Sequence, residues 1–513
     1  MLIVCLVLLS LSVILVQQTH SYDSDDVSWQ TTLLSWSPFS GAKAYVGSKD
    51  NFIINLPFIL LANHLVGPGR TQLLLTSLLM ALVNYVLFYF ASIYFLKKAK
   101  IKLNYKTLMP FIWLSSFGVG LISLFLNTAW RDYEIGVSFV YFVLAAKYYH
   151  DEIKPFNSLL SKLVSAVCLF IVALFVQSDP YFFYLSVLPV ATFFVIEFIF
   201  KKVTKQKLII VLAWTLLSVL IAKVMTSMLA RIGIFEPHGG IKFIGLKSLG
   251  PSFVHFIQGT AKIFGISGSG LTIWAIANLL LVLLILYFLL NQLLSKQLLN
   301  KLKSVSVETW LLFFCVVLLL VAAACIVVDR GGIYSYRYLV LAVYLGVLIL
   351  AIKAASIKGL LSSAIVGILL VAALSNTYSS YSTYRLTAKT ATPNKINLDE
   401  IAVVRKLGLI KGYAGYWDGN INTYFAQNIQ FLPVTCYKDQ TVPLRLLVNG
   451  QQFKDLASKT FIMYDPGMSP RLCSLNQMIA QFGRPLKQIK LSNKTILVYN
   501  YDLFSKMGDT AGI

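Results

Sequence analysis

A series of long apolar segments is the feature that most constrains the fold of this chain. A helix of about 20 apolar residues spans the hydrocarbon core of a bilayer, which is about 30 Å thick. Eleven segments have this character: 1–20, 71–96, 108–127, 135–150, 161–177, 181–200, 208–230, 271–291, 309–328, 337–352 and 359–376. They predict an α-helical polytopic membrane protein with about 11 transmembrane helices.

The composition agrees with a membrane protein. Of the 513 residues, 57% are hydrophobic and 13% are charged, and the mean hydropathy is +0.73. A net charge of +23 would suit a nucleic-acid partner if the basic residues formed one patch. They are instead scattered among the connections between apolar spans, so we exclude nucleic acid as a partner. No repeat of fixed period is found, which disfavours transporters built from symmetric halves.

Lysine is concentrated in alternate connections, and this asymmetry predicts the orientation in the membrane. The lysine-rich connections follow the spans that end near residues 96, 150, 200, 291 and 352. We expect these connections to be cytoplasmic, so that the loops 21–70 and 231–270 face outward. The chain is then a multi-pass protein of the cell membrane, in contact with membrane lipid. Its N-terminus lies inside, and the first span is retained as a helix.

The C-terminal segment 377–513 is less apolar and predicts a small extracytoplasmic α/β domain, distinct from a transmembrane module formed by 1–376. Strand-like runs and helix patterns alternate in it, at 397–407, 429–436, 459–464, 476–482 and 486–501. Asn397 is predicted to open the first helix through a capping box, and Gly408 to end it. Cys436 and Cys473 both lie in this segment, and an oxidising exterior would allow a disulfide between them.

An acidic turn directly follows the first span. Asp23, Asp25 and Asp26 place three carboxylates beside a membrane, where a carboxylate must stay hydrated, pair with a cation or bind a ligand. Amphipathic helices are predicted at 26–34 and 51–65, lying in the interface plane. They would hold the acidic turn at the height of the lipid headgroups.

A second acidic motif and two further cations belong to the same predicted face. The next outer loop carries Arg131, Asp132 and Glu134, a later outer loop carries Arg337, and Lys223 lies in the outer half of the seventh span. Carboxylates can act as a base or as metal ligands, and arginine binds phosphate through paired hydrogen bonds. The structural alternatives are a solvated helix cap, a surface ion pair and an interfacial anchor.

These motifs resemble the GT-C superfamily of polyprenyl-phosphate-sugar glycosyltransferases, which includes protein O-mannosyltransferases and lipid A aminoarabinose transferases. Asp25-Asp26 matches the acidic pair in which that family places its catalytic carboxylate. Arg131-Asp132-Tyr133-Glu134 is similar to the second family motif, and Arg337-Tyr338-Leu339 resembles the segment associated with the lipid phosphate. The resemblance covers the whole chain as an architecture.

The resemblance implies a membrane glycosyltransferase that moves a sugar from a polyprenyl-phosphate donor to an extracytoplasmic acceptor, with inversion at the anomeric carbon. Asp25 or Asp26 would be the base. Arg337, together with Arg131 or Lys223, would bind the donor phosphate.

Several alternatives stay open at this point. No metal site is assigned, although Asp132 and Glu134 would hold a divalent cation, Mg²⁺ or Mn²⁺, if the reaction is metal-dependent. The acceptor is a glycan, a lipid or a protein. The competing functions are a transporter or flippase of lipid-linked sugars and a polysaccharide polymerase or ligase.

Overall fold

The protein consists of an α-helical bundle followed by a smaller α/β region. The structure is a computed structural model. It describes residues 1–19, 21–22, 27, 30–31, 44–45, 53–116, 134–154, 157–231, 244–263, 273–293, 313, 317, 323, 326–327, 340–357, 359–390, 394–444, 448–449, 451–468 and 471–508.

Twelve helices of the bundle fall within the described residues. They are α1 (Leu2–Thr19), α2 (Leu56–Val66), α3 (Arg70–Lys98), α4 (Tyr105–Ser115), α5 (Glu134–Tyr149), α6 (Leu159–Ser178), α7 (Leu188–Ile199), α8 (Lys205–Arg231), α9 (Leu249–Ile263), α10 (Ile273–Leu293), α11 (Val340–Ser356) and α12 (Leu360–Thr390). Every predicted span overlaps one of these helices except 309–328. In that span the structure describes residues 313, 317, 323, 326 and 327, all of them helical.

Several of these helices are apolar enough for a multi-pass membrane protein. Four are also long enough to cross a membrane, by length and composition: Arg70–Lys98, Leu159–Ser178, Lys205–Arg231 and Leu360–Leu386. Shorter apolar helices cover Leu2–Gln18, Ile53–Val66, Phe183–Ile199, Ala275–Phe288 and Val343–Ala354. The mostly helical prediction is confirmed, and the number of eleven crossings stays a prediction.

Amide side chains pair with one another inside the bundle. Asn84 of α3 donates to the hydroxyl of Tyr344 on α11 over 2.8 Å. The indole N–H of Trp113 donates to Asn278 over 3.1 Å, and the amide of Asn278 donates to Asn376 over 2.9 Å. An unpaired amide in hydrocarbon costs several kcal/mol. These pairs therefore help to decide which helix faces meet.

Lysines of the connections predicted to be cytoplasmic gather at one end of the bundle. Lys207 forms an ion pair of 2.7 Å with Asp151, and Lys98 at the end of α3 pairs with Glu152. The α/β region contacts the opposite end of α3. These lysines and the α/β region therefore lie at opposite ends of α3, and the orientation in the membrane stays a prediction.

The α/β region contains a six-stranded mixed sheet. Its elements are α13 (Lys395–Lys406), β2 (Lys411–Gly415), α14 (Tyr416–Ala426), β3 (Gln430–Tyr437), β4 (Gln440–Pro443), β5 (Val448–Asn449), α15 (Gln451–Lys454), β6 (Thr460–Tyr464), α16 (Leu475–Phe482), β7 (Lys487–Lys490) and β8 (Thr495–Tyr499). The strand order is β4-β3-β2-β6-β8-β7. Strand β2 is parallel to β3 and β6, and the other neighbours are antiparallel. β5 pairs with β1 (Ala44–Tyr45), which lies in the connection between α1 and α2.

The sheet is covered on both faces. Successive side chains of a strand point to opposite faces, so neighbouring residues belong to different apolar clusters. Tyr413 and Leu497 belong to the cluster that includes residues of α16. Ala414 and Ile496 belong to the cluster on the other face, with residues of α13 and α14. Two packed layers explain why the central strands β6 and β8 are apolar on both faces rather than at every second position.

The structure corrects one detail of this region and confirms others. The capping-box prediction is wrong: α13 begins at Lys395 after Asn394, whose side chain makes no cap hydrogen bond. The predicted end of the helix is confirmed, with Gly408 at φ +66° in the left-handed region. Cys436 and Cys473, for which the sequence allowed a disulfide, do form one. Helix α12 continues to Thr390, beyond the predicted domain boundary at 376, and that division stays a prediction.

Candidate functional site

The residues that flank the acidic turn lie where the helical bundle meets the α/β region. Asp23, Asp25 and Asp26 themselves lie outside the described residues. The residues on either side of them, Tyr22 and Val27, are buried, with 3% and 0% of their surfaces exposed. Both ends of the turn are therefore fixed in the protein rather than in solvent.

Tyr22 is held from two sides. Its backbone N–H donates to Asn394 Oδ1 over 3.1 Å, and Asn394 Nδ2 donates to the Tyr22 carbonyl over 2.8 Å. The Tyr22 hydroxyl donates to the side-chain oxygen of Gln17 near the end of α1. The guanidinium of Arg70 lies over the Tyr22 ring, 5.1 Å from its centroid. Tyr22 thus joins α1, the start of α3 and the α/β region.

Arg70 is a residue of this site that sequence reasoning missed. Its guanidinium donates to the backbone carbonyls of Gln17 (2.7 Å) and Gln18 (3.2 Å) in the last turn of α1. A cation at a helix C-terminus is favourable, because the unpaired carbonyls there carry partial negative charge. The signal in the sequence was a lone arginine directly after Gly67-Pro68-Gly69, at the start of an apolar span.

The segment after the acidic turn packs on α14. Val27, Gln30 and Thr31 are helical and buried, which agrees with the predicted helix at 26–34. The Thr31 hydroxyl donates to the Asn420 carbonyl over 3.2 Å. Val27 belongs to an apolar cluster with Ile421 of α14 and with Leu73 of α3. At these positions the segment contacts protein, whereas the sequence predicted an interfacial helix.

A tyrosine of α14 fixes this helix to the start of α3. The hydroxyl of Tyr424 donates to Gln72 Oε1 over 2.6 Å and accepts from the Gly69 N–H over 2.7 Å. Tyr424 is fully buried, and this burial raises its pKa well above the ordinary value. Gln427 adds a hydrogen bond to the Pro68 carbonyl. The turn Gly67-Pro68-Gly69 is therefore part of the contact between the bundle and the α/β region.

Glu134 of the second acidic motif lies deeper in the bundle. It is the first residue of α5 and is 3% exposed. The Gly136 N–H donates to Asn84 Oδ1 over 2.6 Å, which fixes the start of α5 against the middle of α3. Asn84 follows Arg70 by 14 residues of one helix, or about 21 Å along its axis. The structure thus separates Glu134 from Arg70 along α3, and Arg131 and Asp132 lie outside the described residues.

Of the two remaining predicted cations, the structure describes only Lys223. Lys223 lies on the exposed side of α8 beside Leu220 and Val224, which are 47% and 58% exposed. Arg337 lies outside the described residues. Among the described residues, no group of three or more histidine, cysteine, aspartate or glutamate side chains is suited to a metal ion. The roles of Lys223, Arg337 and the divalent cation stay predictions.

A buried ionic cluster in the α/β region was also missed by sequence reasoning. Lys494 Nζ lies 2.7 Å from Glu400, 2.7 Å from Asp418 and 3.8 Å from Asp465. Burial raises the pKa of Glu400 and of Asp418, although Lys494 opposes the shift. Burial by itself would lower the pKa of Lys494, but the carboxylates outweigh it and the pKa is raised. The signal in the sequence was an aspartate soon after each of two strands. Asp418 follows β2 closely, and Asp465 directly follows β6.

The cluster lies at the carboxyl ends of the parallel strands β2 and β6. Asp418 follows β2, and Asp465 follows the parallel strand β6. The chain leaves β2 through α14 toward β3 on one side, and reaches β6 on the other side of β2. Open α/β sheets commonly bind ligands at such a point. Here the ion-paired Lys494 fills it.

Comparison with known proteins gives one structural likeness. The crystal structure of ArnT from Cupriavidus metallidurans in the apo state is similar to this chain with a TM-score of 0.42 and 11% sequence identity. The likeness covers 99% of each chain. No protein-family model matches the sequence, and no curated protein matches it significantly.

Proposed function

We propose that this protein is an integral-membrane glycosyltransferase that moves a sugar from a polyprenyl-phosphate donor to an acceptor outside the cytoplasm. The observation that carries the proposal is the position of the residues that flank the acidic turn. Tyr22 and Val27 are buried between the ends of two apolar helices and a folded α/β region. A carboxylate base fixed at the boundary between a lipid-facing bundle and an aqueous domain suits a donor with a lipid tail and an acceptor from solution.

In the proposed reaction, Asp25 or Asp26 accepts the proton of an acceptor hydroxyl. The hydroxyl oxygen forms a bond to the anomeric carbon as the bond from that carbon to the phosphate oxygen breaks, and the polyprenyl phosphate leaves. Attack from the face opposite the phosphate inverts the anomeric centre. Arg337, with Arg131 or Lys223, would stabilise the negative charge on the departing phosphate.

Two further observations support an extracytoplasmic site. The disulfide between Cys436 and Cys473 suits an oxidising compartment, and it lies in the same region that holds the acidic turn. The lysine clusters near Lys98 and Lys207 lie at the other end of the bundle, as the charge asymmetry predicts for the cytoplasmic side.

The proposal is tested in cells that lack the protein and are complemented with variants. Mass spectrometry of envelope glycans should detect a sugar modification with the wild type that is lost with Asp25→Asn or Asp26→Asn at equal membrane abundance. Asp23→Asn is the matched control and should keep the modification. A normal glycan profile in both the Asp25→Asn and the Asp26→Asn cells would exclude these carboxylates as the base. Unchanged glycans in cells without the protein would exclude the transferase function.

The same cells separate a transferase from a flippase. A transferase without its base leaves the donor lipid on the outer leaflet, where membrane-impermeant periodate oxidises its sugar. Loss of a flippase leaves the donor protected inside. Protection from periodate in cells lacking the protein would therefore favour the flippase.

A further inference from the structure

We infer that Asn394 is a positioning residue that fixes the acidic turn, and that the α/β region thereby completes the site. The inference rests on the proposed function for the role of the turn, but its structural part stands on Tyr22. Asn394 and Tyr22 are separated by 372 residues of sequence, and both are buried. The residue directly after Tyr22 is the first carboxylate of the turn.

The side chain of Asn394 binds the backbone of Tyr22 rather than its side chain. One amide group satisfies both the N–H and the carbonyl of Tyr22, as a neighbouring strand would. Two hydrogen bonds to one peptide segment fix its direction as well as its position. The contact therefore fixes the direction of the chain at Tyr22, directly before the acidic turn.

The backbone of Asn394 is shaped for this contact. Its φ of +58° lies in the left-handed region, which asparagine and glycine tolerate better than other residues. An ordinary helix start would place this side chain over the first turn of α13 as a cap. Asn394 makes no such cap, and its amide is directed to Tyr22 instead. The side chain at the N-cap position of α13 thus makes a long-range contact in place of a cap hydrogen bond.

A chain of side-chain hydrogen bonds anchors Asn394 in the α/β region. Asn394 donates to Asn397 over 3.3 Å, Asn397 donates to Asn422 over 2.8 Å, and Asn422 donates to Glu400 over 2.9 Å. Glu400 is the partner of Lys494 in the buried ionic cluster. Asn394 is therefore connected through α13 and α14 to the buried ionic cluster.

The other end of the acidic turn is held by the same region. Thr31 donates to Asn420, which lies in α14 two residues before Asn422 of the hydrogen-bonded chain. Val27 packs against Ile421 between them. Consecutive residues of α14 thus contribute both to the anchor before the turn and to the contact after it. Displacement of α14 would shift both ends of the turn together.

The test is hydrogen exchange of the full-length protein in detergent, measured for peptides that contain Tyr22. Asn394→Gly keeps the left-handed backbone accessible but removes the amide group. Loss of two hydrogen bonds should speed exchange of the Tyr22 amide by about tenfold or more. Asn394→Asp keeps an acceptor for the Tyr22 N–H but no donor for its carbonyl, and should give an intermediate rate. Asn493→Gly, in an exposed turn of the same region, is the matched control and should exchange as the wild type does.

A purely structural role predicts a different result. Faster exchange throughout β2 and β6 in Asn394→Gly would mean that the residue only stabilises the domain, and would overturn the inference. Wild-type exchange at Tyr22 would overturn it as well. In complemented cells, Asn394→Gly should reduce the envelope-glycan modification by about tenfold or more, because small displacements of a base are costly. Full modification despite faster exchange would overturn the positioning role.

These readouts distinguish the two proposals. If wild-type cells show no glycan that depends on the protein, the proposed function fails, and fast exchange in Asn394→Gly still supports the hold on Tyr22. If the glycan is present and Tyr22 exchange does not respond to the substitution, the positioning role fails and the transferase function stands.

Discussion

Lys494 and Glu400 form an ion pair of 2.7 Å in which the two side chains are 5% and 3% exposed. Both charged groups are shielded from water, which costs free energy. The pair is therefore stable only if each group retains its ionic partner and its other hydrogen bonds. Glu400 also accepts from Asn422, and Lys494 also pairs with Asp418. The pair connects α13, α14 and the hairpin of β7 and β8 into one unit.

Removal of the lysine from this cluster should destabilise the α/β region strongly. Lys494→Met leaves the buried carboxylates of Glu400 and Asp418 without their cation, and we expect a loss of about 3–5 kcal/mol in the free energy of unfolding. Thermal unfolding of the purified protein measures the effect. Lys487→Met, at an exposed position of β7, should change stability by less than about 0.5 kcal/mol. Equal melting temperatures for the two variants would contradict the stabilising role of the pair.

A side chain at Gly136 should separate α5 from α3. A Cβ there would lie 2.6 Å from the backbone oxygen of Asn84 and 2.9 Å from Leu87 Cβ, so a helix has to move. We expect Gly136→Ala to cost about 1–3 kcal/mol in detergent unfolding. Gly367→Ala in α12 meets nothing within 4 Å and is the matched control, expected to be neutral or slightly stabilising. A neutral Gly136→Ala would show that the helices are less closely packed.

Loss of the disulfide should destabilise the α/β region. Cys436 and Cys473 are 37 residues apart, and a loop of this length gives about 4 kcal/mol of stabilisation in the chain-entropy description. The double variant Cys436→Ser/Cys473→Ser should therefore unfold at a lower denaturant concentration than the wild type. Cys168→Ser, which changes a half-buried free cysteine, should not reproduce this shift. Reducing agent should lower the stability of the wild type and leave the double variant unchanged.

The α/β region should lose stability at alkaline pH. Burial raises the pKa of Tyr413 and Tyr424 above the ordinary 10.0, and raises that of Tyr499 to about 12. The neighbouring carboxylates also raise the pKa of Lys494 above its ordinary 10.5 in the folded state. The folded protein thus binds more protons than the unfolded chain above about pH 10, and its stability falls as the pH rises further. Unfolding monitored between pH 8 and pH 12 measures this.

A tyrosine variant provides the control for the alkaline effect. Tyr437→Phe changes a half-exposed ring and should leave the pH profile unaltered. Tyr413→Phe should flatten it, at the cost of the hydrogen bond to Asp502. A profile that does not depend on pH up to 12 would show that these groups are not buried as described.

The sequence predicted the apolar helices and the strands β3, β6, β7 and β8, because both depend on local patterns. Runs of about 20 apolar residues, Gly408 after a helix and the strand-like pattern within 486–501 are each local signals in the chain. The capping box at Asn397 failed for a long-range reason. Its side chain pairs with Asn422, and the helix begins two residues earlier.

The candidate site shows the same division. The sequence by itself determined that three carboxylates follow the first helix, since charge beside an apolar span is visible in the chain. Only the tertiary structure decided that Asn394 and Arg70 hold Tyr22 beside them, and that Glu134 lies about 20 Å deeper along α3. Hydrogen bonds across 372 residues leave no periodic signal. They depend on how helices and sheet pack, which buried contacts determine together.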